Sequence, residues 1–189
     1  MSPVVLVSRV GAAKGSRAAA AALACNASEL DRAALLVDLE GGRASRPTLI
    51  ATAGARGLEE RLATHLPDAA IASRGRICQL KLSPEREAIE TLAAALPLAR
   101  QSAAVVHLPP TLFRTVLTDS RIRPTAVLLR ADLAEDRPLT ALTTRDLMAW
   151  GLRVTVLKRP LGWIAAHAAL LGMHPEAGRA LPHQLCERL

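Results

Sequence analysis

Residues 8–16 read Ser-Arg-Val-Gly-Ala-Ala-Lys-Gly-Ser and lead from an apolar run straight into an Ala-rich stretch. Backbone N–H groups at a turn that opens a helix attract anions. Arg9 and Lys14 add positive charge, Gly11 and Gly15 leave room for a ligand, and Ser16 supplies a hydroxyl. These types in this spacing suit phosphate, with Lys14 as the point charge. Asp38 closes the next apolar run, where a carboxylate can face a cation or a water. On position alone it reads more readily as a solvated loop carboxylate or a helix cap. The plain alternative for the loop is a short Ala- and Gly-rich turn with Lys14 as a solvated charge.

Such residues need strands and helices to position them. Runs at 3–8, 34–39, 76–82, 103–108, 125–130 and 152–157 predict six strands. Helices are expected over 16–27, with Ser16 as N-cap, over 57–65, and over 83–96, with Ser83 as N-cap and Pro84 at the first helical position. Further helices are expected over 139–150 and 163–171. Pro109-Pro110 closes the fourth run, and residues 41–54 read as a flexible loop. Alternating strands and helices with strands apolar on both faces predict a three-layer, doubly wound α/β domain. Its sheet is mainly parallel, of about six or seven strands, with helices on both faces. Ligands of such sheets gather at the carboxyl ends of the strands. One domain over 1–189 is expected, with 173–189 an irregular tail.

The loop resembles the deviant P-loop of ParA/MinD-type ATPases, K-G-G-x-G-K-T-T. Arg9 takes the place of the signature lysine, Val10 and Gly11 that of the glycine pair, and Ala13 that of the third glycine. Lys14 matches the phosphate lysine. Gly15 falls where the magnesium-binding Thr stands, and Ser16 on the second Thr. Leu35-Leu36-Val37-Asp38-Leu39-Glu40 is similar to the family's V-L-L-V-D-x-D strand, whose first Asp acts near magnesium and the attacking water; Glu40 takes the second Asp's place. Residues 57–62 resemble a G-L-x-x-x-L helix. Val105-Val106-His107-Leu108-Pro109-Pro110 resembles a strand ending in D-x-P-P, with His107 for the Asp. Residues 151–159 resemble a late strand ending in Asn-Arg, with Lys158 for the adenine-reading Asn.

The resemblance spans about 3–160 and implies a P-loop-like fold that dimerises around nucleotide and helps position or assemble large structures. ATP or ADP is the implied ligand, held by Arg9, Gly11, Lys14, Gly15, Ser16 and Asp38. Without a hydroxyl at Gly15 or a carboxylate at His107, magnesium loses two supports, so ATP hydrolysis is expected to be absent or very slow. No catalytic residue and no metal ligand is assigned. The expected role is that of a regulatory or adaptor protein with a protein partner or a second copy of itself. An active ATPase with an altered magnesium site, and an Arg-rich DNA- or protein-interaction module without nucleotide, are the open alternatives.

Composition narrows the field. The 189 residues are 50% hydrophobic but only 2% aromatic, and Tyr is absent. Base-stacking single-strand modules need aromatic platforms, so they drop out. The glycine turn also resembles that of short-chain dehydrogenases, with Asp38 as ribose acid, but their Tyr-x-x-x-Lys chemistry has no Tyr here. No Gly-x-Ser-x-Gly elbow occurs. Net charge is +7, carried by Arg; Arg121, Arg123, Arg130, Arg145, Arg153 and Arg159 crowd the second half, a possible DNA or partner surface. Three scattered cysteines suit free thiols in a reducing cytoplasm. His174, His183 and Cys186 match no common zinc spacing. No apolar run approaches a membrane span, and no export signal is visible. His107 reads as a satisfied core histidine ahead of a proton shuttle.

Overall fold

Val, Leu and Ala runs without a polar face form the centre of the sheet. They are β1 (Val4–Arg9), β2 (Ala34–Asp38) and, three strands later, β5 (Ala104–His107), and nearly every residue in them is buried. The computed structural model describes residues 3–11, 15–28, 33–40, 51–82, 86–131 and 137–157. Outward from this centre lie β3 (Ala70–Arg74), β4 (Ile77–Lys81), β6 (Ala126–Arg130) and β7 (Arg153–Leu157). The seven strands run in the order β3-β4-β2-β5-β1-β6-β7. Every pair is parallel except β3–β4, so the sheet is mainly parallel as expected.

Strand residues alternate between two apolar layers. One face meets α1 (Ser16–Ala27), whose Ala19–Cys25 pack on Val5, Val7, Leu36, Val105 and Leu128. The opposite face carries α2 (Ala53–His65), α3 (Arg86–Leu98), α4 (Pro110–Thr118) and α5 (Arg137–Ala149). There Leu58, Leu62, Leu92, Val116 and Leu147 cover Leu6, Val37, Leu80, Val106 and Leu129. The fold is a three-layer α/β domain with helices on both faces. Burying a Leu or Val side chain contributes about 1.5–3 kcal/mol, so these two layers hold the sheet with almost no aromatic area.

Four local expectations change. The edge strand β3 is absent from the sequence reading because its Ala-Ile-Ala-Ser-Arg is half-exposed and short on bulky apolar residues. The Pro109-Pro110 pair does more than end β5: Pro109 caps α4 and Pro110 starts it, where a missing N–H costs nothing. Helix α2 begins four residues before Gly57, at Ala53, because Thr52 Oγ1 accepts from the Ala55 N–H (3.4 Å). Ser16 is the first residue of α1 and not its cap; Gly15 holds that position with φ 85°. At the other end of the sheet, Gly151 (φ 77°) closes α5 in a Schellman turn, with Gly151 N to Met148 O at 2.9 Å and Leu152 N to Leu147 O at 3.2 Å. The expected Ser83–Pro84 cap, the helix over 163–171 and the tail 173–189 lie outside the described residues. Among the described residues no helix is long and apolar enough to cross a membrane.

Candidate functional site

The chain leaves β1 through α1 toward β2 on one side, and leaves β5 through α4 toward β6 on the other. The connections diverge over opposite faces of the sheet, so the carboxyl ends of the adjacent strands β1 and β5 border a crevice, the usual ligand position in such sheets.

Strand parity and register decide which side chains meet there. Ala34 and Leu36 of β2 and Val105 of β5 lie on the α1 face. With a period of two, Asp38 and His107 share that face. They are also direct register partners across the β2–β5 ladder. Helix α1 then lays its first turn over them. His107 Nδ1 lies 2.9 Å from Asp38 Oδ1, and its Nε2 lies 2.9 Å from Ser16 Oγ. Arg17, one residue on, places Nη2 2.6 Å from Asp38 Oδ2. The Glu40 N–H donates to Asp38 Oδ1 at 3.3 Å. Glu40 itself lies 3.5 Å from His107 Nε2 and 3.4 Å from Arg9 Nε.

Asp38 is 1% exposed and His107 0%. Burial pushes the Asp38 carboxyl up. The His107 hydrogen bond, the Arg17 and His107 charges and the Glu40 amide outweigh it and hold the carboxyl below the ordinary range. With Asp38 ionised, Nδ1 is the donor of that bond. In the neutral imidazole Nε2 then accepts the Ser16 hydroxyl. The order Ser–His–carboxylate is that of a serine-hydrolase relay. Here Ser16 is only 4% exposed, so the relay ties the start of α1 to the sheet instead of presenting a nucleophile.

Of the residues the sequence singles out, Arg9 ends β1 and faces Glu40, and Gly11 follows with φ 58°. Gly15 caps α1, and Ser16 and Asp38 join through His107. Lys14 lies outside the described residues. Asp38 is neither a solvated carboxylate nor a cap. His107 is a satisfied core histidine, as read from the sequence. The sequence reading gave no role to Arg17, Lys81 or Arg130 here. Lys81 is the register partner of Asp38 on β4; burial, then the Arg17 charge, lower its pKa against the pull of Asp38. Arg130, 2% exposed, ends β6 in register with Arg9, and its Nε lies 3.8 Å from where a Cβ on Gly15 would stand. Strand parity is the signal available for Lys81 and Arg130, which end β4 and β6 on the α1 face, whereas Arg17 is marked only by its place in the first turn of α1.

Of the arginines that crowd the second half, Arg121, Arg123, Arg145 and Arg153 are exposed. Arg130 is buried, and Arg121 is held by Glu90 and Asp119. Arg159 lies outside the described residues. Among the described residues no group of three or more His, Cys, Asp or Glu is arranged to hold a metal ion. Gly15 has no side chain to offer where the resemblance places the magnesium-binding Thr, and Ser16 Oγ and Asp38 Oδ1 each face a ring nitrogen of His107. No family model and no curated protein matches this chain.

Proposed function

We propose that the chain is a ParA/MinD-like pseudo-ATPase: a nucleotide-binding adaptor or regulator that acts through a protein partner or a second copy of itself. It has little or no ATP hydrolysis. The observation that carries this reading is the closed Asp38 network. The carboxylate that would act near a metal-bound water is spent on His107 and Arg17. A base so engaged cannot also orient an attacking water, and phosphoryl transfer depends on that positioning. Binding has separate supports. The first turn of α1 contains no acidic residue, and Arg9 stands beside it at the end of β1.

Calorimetry with ATP and ADP, paired with a phosphate-release assay in Mg²⁺, tests the reading. Nucleotide binding without phosphate release above background is expected. Turnover that Lys14→Ala abolishes would establish an active ATPase instead. Absence of binding by either nucleotide would remove the nucleotide from the proposal.

A further inference from the structure

Strand β1 lies between β5 and β6 in the sheet. The chain enters both flanking strands from helices on one face, through residues 99–103 after α3 and 119–125 after α4. These two turns stand on either side of the amino end of β1, where Ala104 N donates to Pro3 O (3.0 Å) and Thr125 N to Val4 O (2.8 Å). Between them is a cavity of about 750 Å³. Small-molecule pockets usually measure about 300–1,000 Å³. Arg121 braces its walls, with Nη2 donating to Glu90 Oε1 on α3 (3.0 Å) and to Asp119 Oδ2 in the second turn (2.6 Å). The cavity lies at the opposite end of the sheet from Ser16 and Asp38, so it owes nothing to the nucleotide reading.

We infer that this cavity binds an organic anion with an apolar body, of the class of a medium-chain carboxylate. Val4, Leu96, Pro97 and Pro124 give it an apolar lining, and Val4 and Leu96 continue into the main core. Its charged lining has one sign: among the described residues three arginines and no acidic side chain face it. Arg121 is spent on Glu90 and Asp119. Arg123 is exposed and makes no ion pair with the described residues. Ser102 is 6% exposed, and its hydroxyl bonds to none of the described residues. A buried hydroxyl calls for a partner, which a carboxylate oxygen supplies. The negative end of α3 is blunted there, because the Ala99 amide takes up the Ala95 and Leu96 carbonyls and the Ser102 amide that of Ala99. A cation would be repelled by the arginines, and a small inorganic anion would leave the apolar lining uncovered.

Calorimetry with octanoate, decanoate, decanol and decyltrimethylammonium tests this. Decanoate should saturate one site and bind about tenfold more tightly than octanoate, from two further buried methylenes. Decanol and decyltrimethylammonium should each bind about fivefold or more weakly than decanoate. Arg123→Glu, at an exposed position, should weaken decanoate by about fivefold or more with Tm unchanged. Ser120→Trp, also at an exposed lining position, should fill the mouth and abolish binding. If that variant does not fold, Arg123→Glu decides. Decanol or the ammonium binding as tightly as decanoate would overturn the choice of an anion. No saturable decanoate binding, or binding that neither variant weakens, would overturn the site. Saturating ATP should leave decanoate binding unchanged. Competition would place the carboxylate at the α1 end and overturn the assignment, whereas failure of ATP to bind would touch the nucleotide reading alone.

Discussion

Replacing His107 by Ala removes a side chain that, among the described residues, joins Ser16 to Asp38. His107 is wholly buried, with a 2.9 Å contact on each ring nitrogen. Its loss leaves the Ser16 hydroxyl without that partner, which costs about 1–3 kcal/mol for a buried neutral group. Among the described residues, Asp38 loses one of two N–H side-chain partners. Breaking a buried charged pair outright costs about 3–5 kcal/mol. Asp38 keeps Arg17 on Oδ2 and the Glu40 amide on Oδ1, so its share falls below that range. Together the expected loss is about 3–5 kcal/mol, a large part of the roughly 5–15 kcal/mol that holds a domain. His107→Asn places an amide N–H near the Nδ1 position and should keep the Asp38 bond while losing Ser16, for about 1–2 kcal/mol. Urea unfolding followed by circular dichroism measures both, with an unchanged m-value as the check that only stability has moved. In a double-mutant cycle, Ser16→Ala and His107→Ala should couple by about 0.5–3 kcal/mol. A His107→Ala variant within about 1 kcal/mol of wild type would refute the view that this network holds the start of α1 to the sheet.

Gly15→Ala forces an L side chain into φ 85° and should cost about 1–2 kcal/mol in urea unfolding. Among the described residues the new Cβ would meet Arg130 Nε at 3.8 Å, an ordinary contact, so the expected cost is backbone strain. A neutral effect of Gly15→Ala would show that the cap relaxes freely. The depressed pKa of Asp38 makes part of the stability pH-dependent. That part is whole above the ordinary carboxylate value of about 3.9 and is lost as pH falls through the lower folded-state value. The Tm difference between wild type and Asp38→Asn should therefore shrink on acidification below about pH 4, and a difference constant with pH would contradict the assigned cause.

Much of the architecture was legible because burial on both faces leaves a plain trace. Runs such as Val4-Val5-Leu6-Val7 and Ala34-Leu35-Leu36-Val37 have no polar face to offer water, so they read as central parallel strands. The edge strand β3 left no such trace, since an edge is only half-buried and its pairing with β4 comes from a hairpin. Helix α4 was hidden by Pro109-Pro110, which ends a strand and begins a helix with the same two residues. Arg9, Gly11, Gly15, Ser16 and Asp38 could be picked out by type and by their place at strand ends. Their partners could not.

The sequence by itself determined the two-layer apolar pattern, the small-residue loop after the first strand, and the absence of a hydroxyl at Gly15 and of a carboxylate at His107. Those are properties of residue type and local order. Only the tertiary structure decided that Asp38 is buried and paired. That outcome needs residues 17, 38 and 107 brought together by strand register and by the placement of α1 on one face of the sheet. A charge has no fixed meaning until its neighbours are known: the same Asp38 could serve a metal, a cap or water. Here Arg17 and His107, distant in sequence from Asp38, settle the matter at 2.6 Å and 2.9 Å.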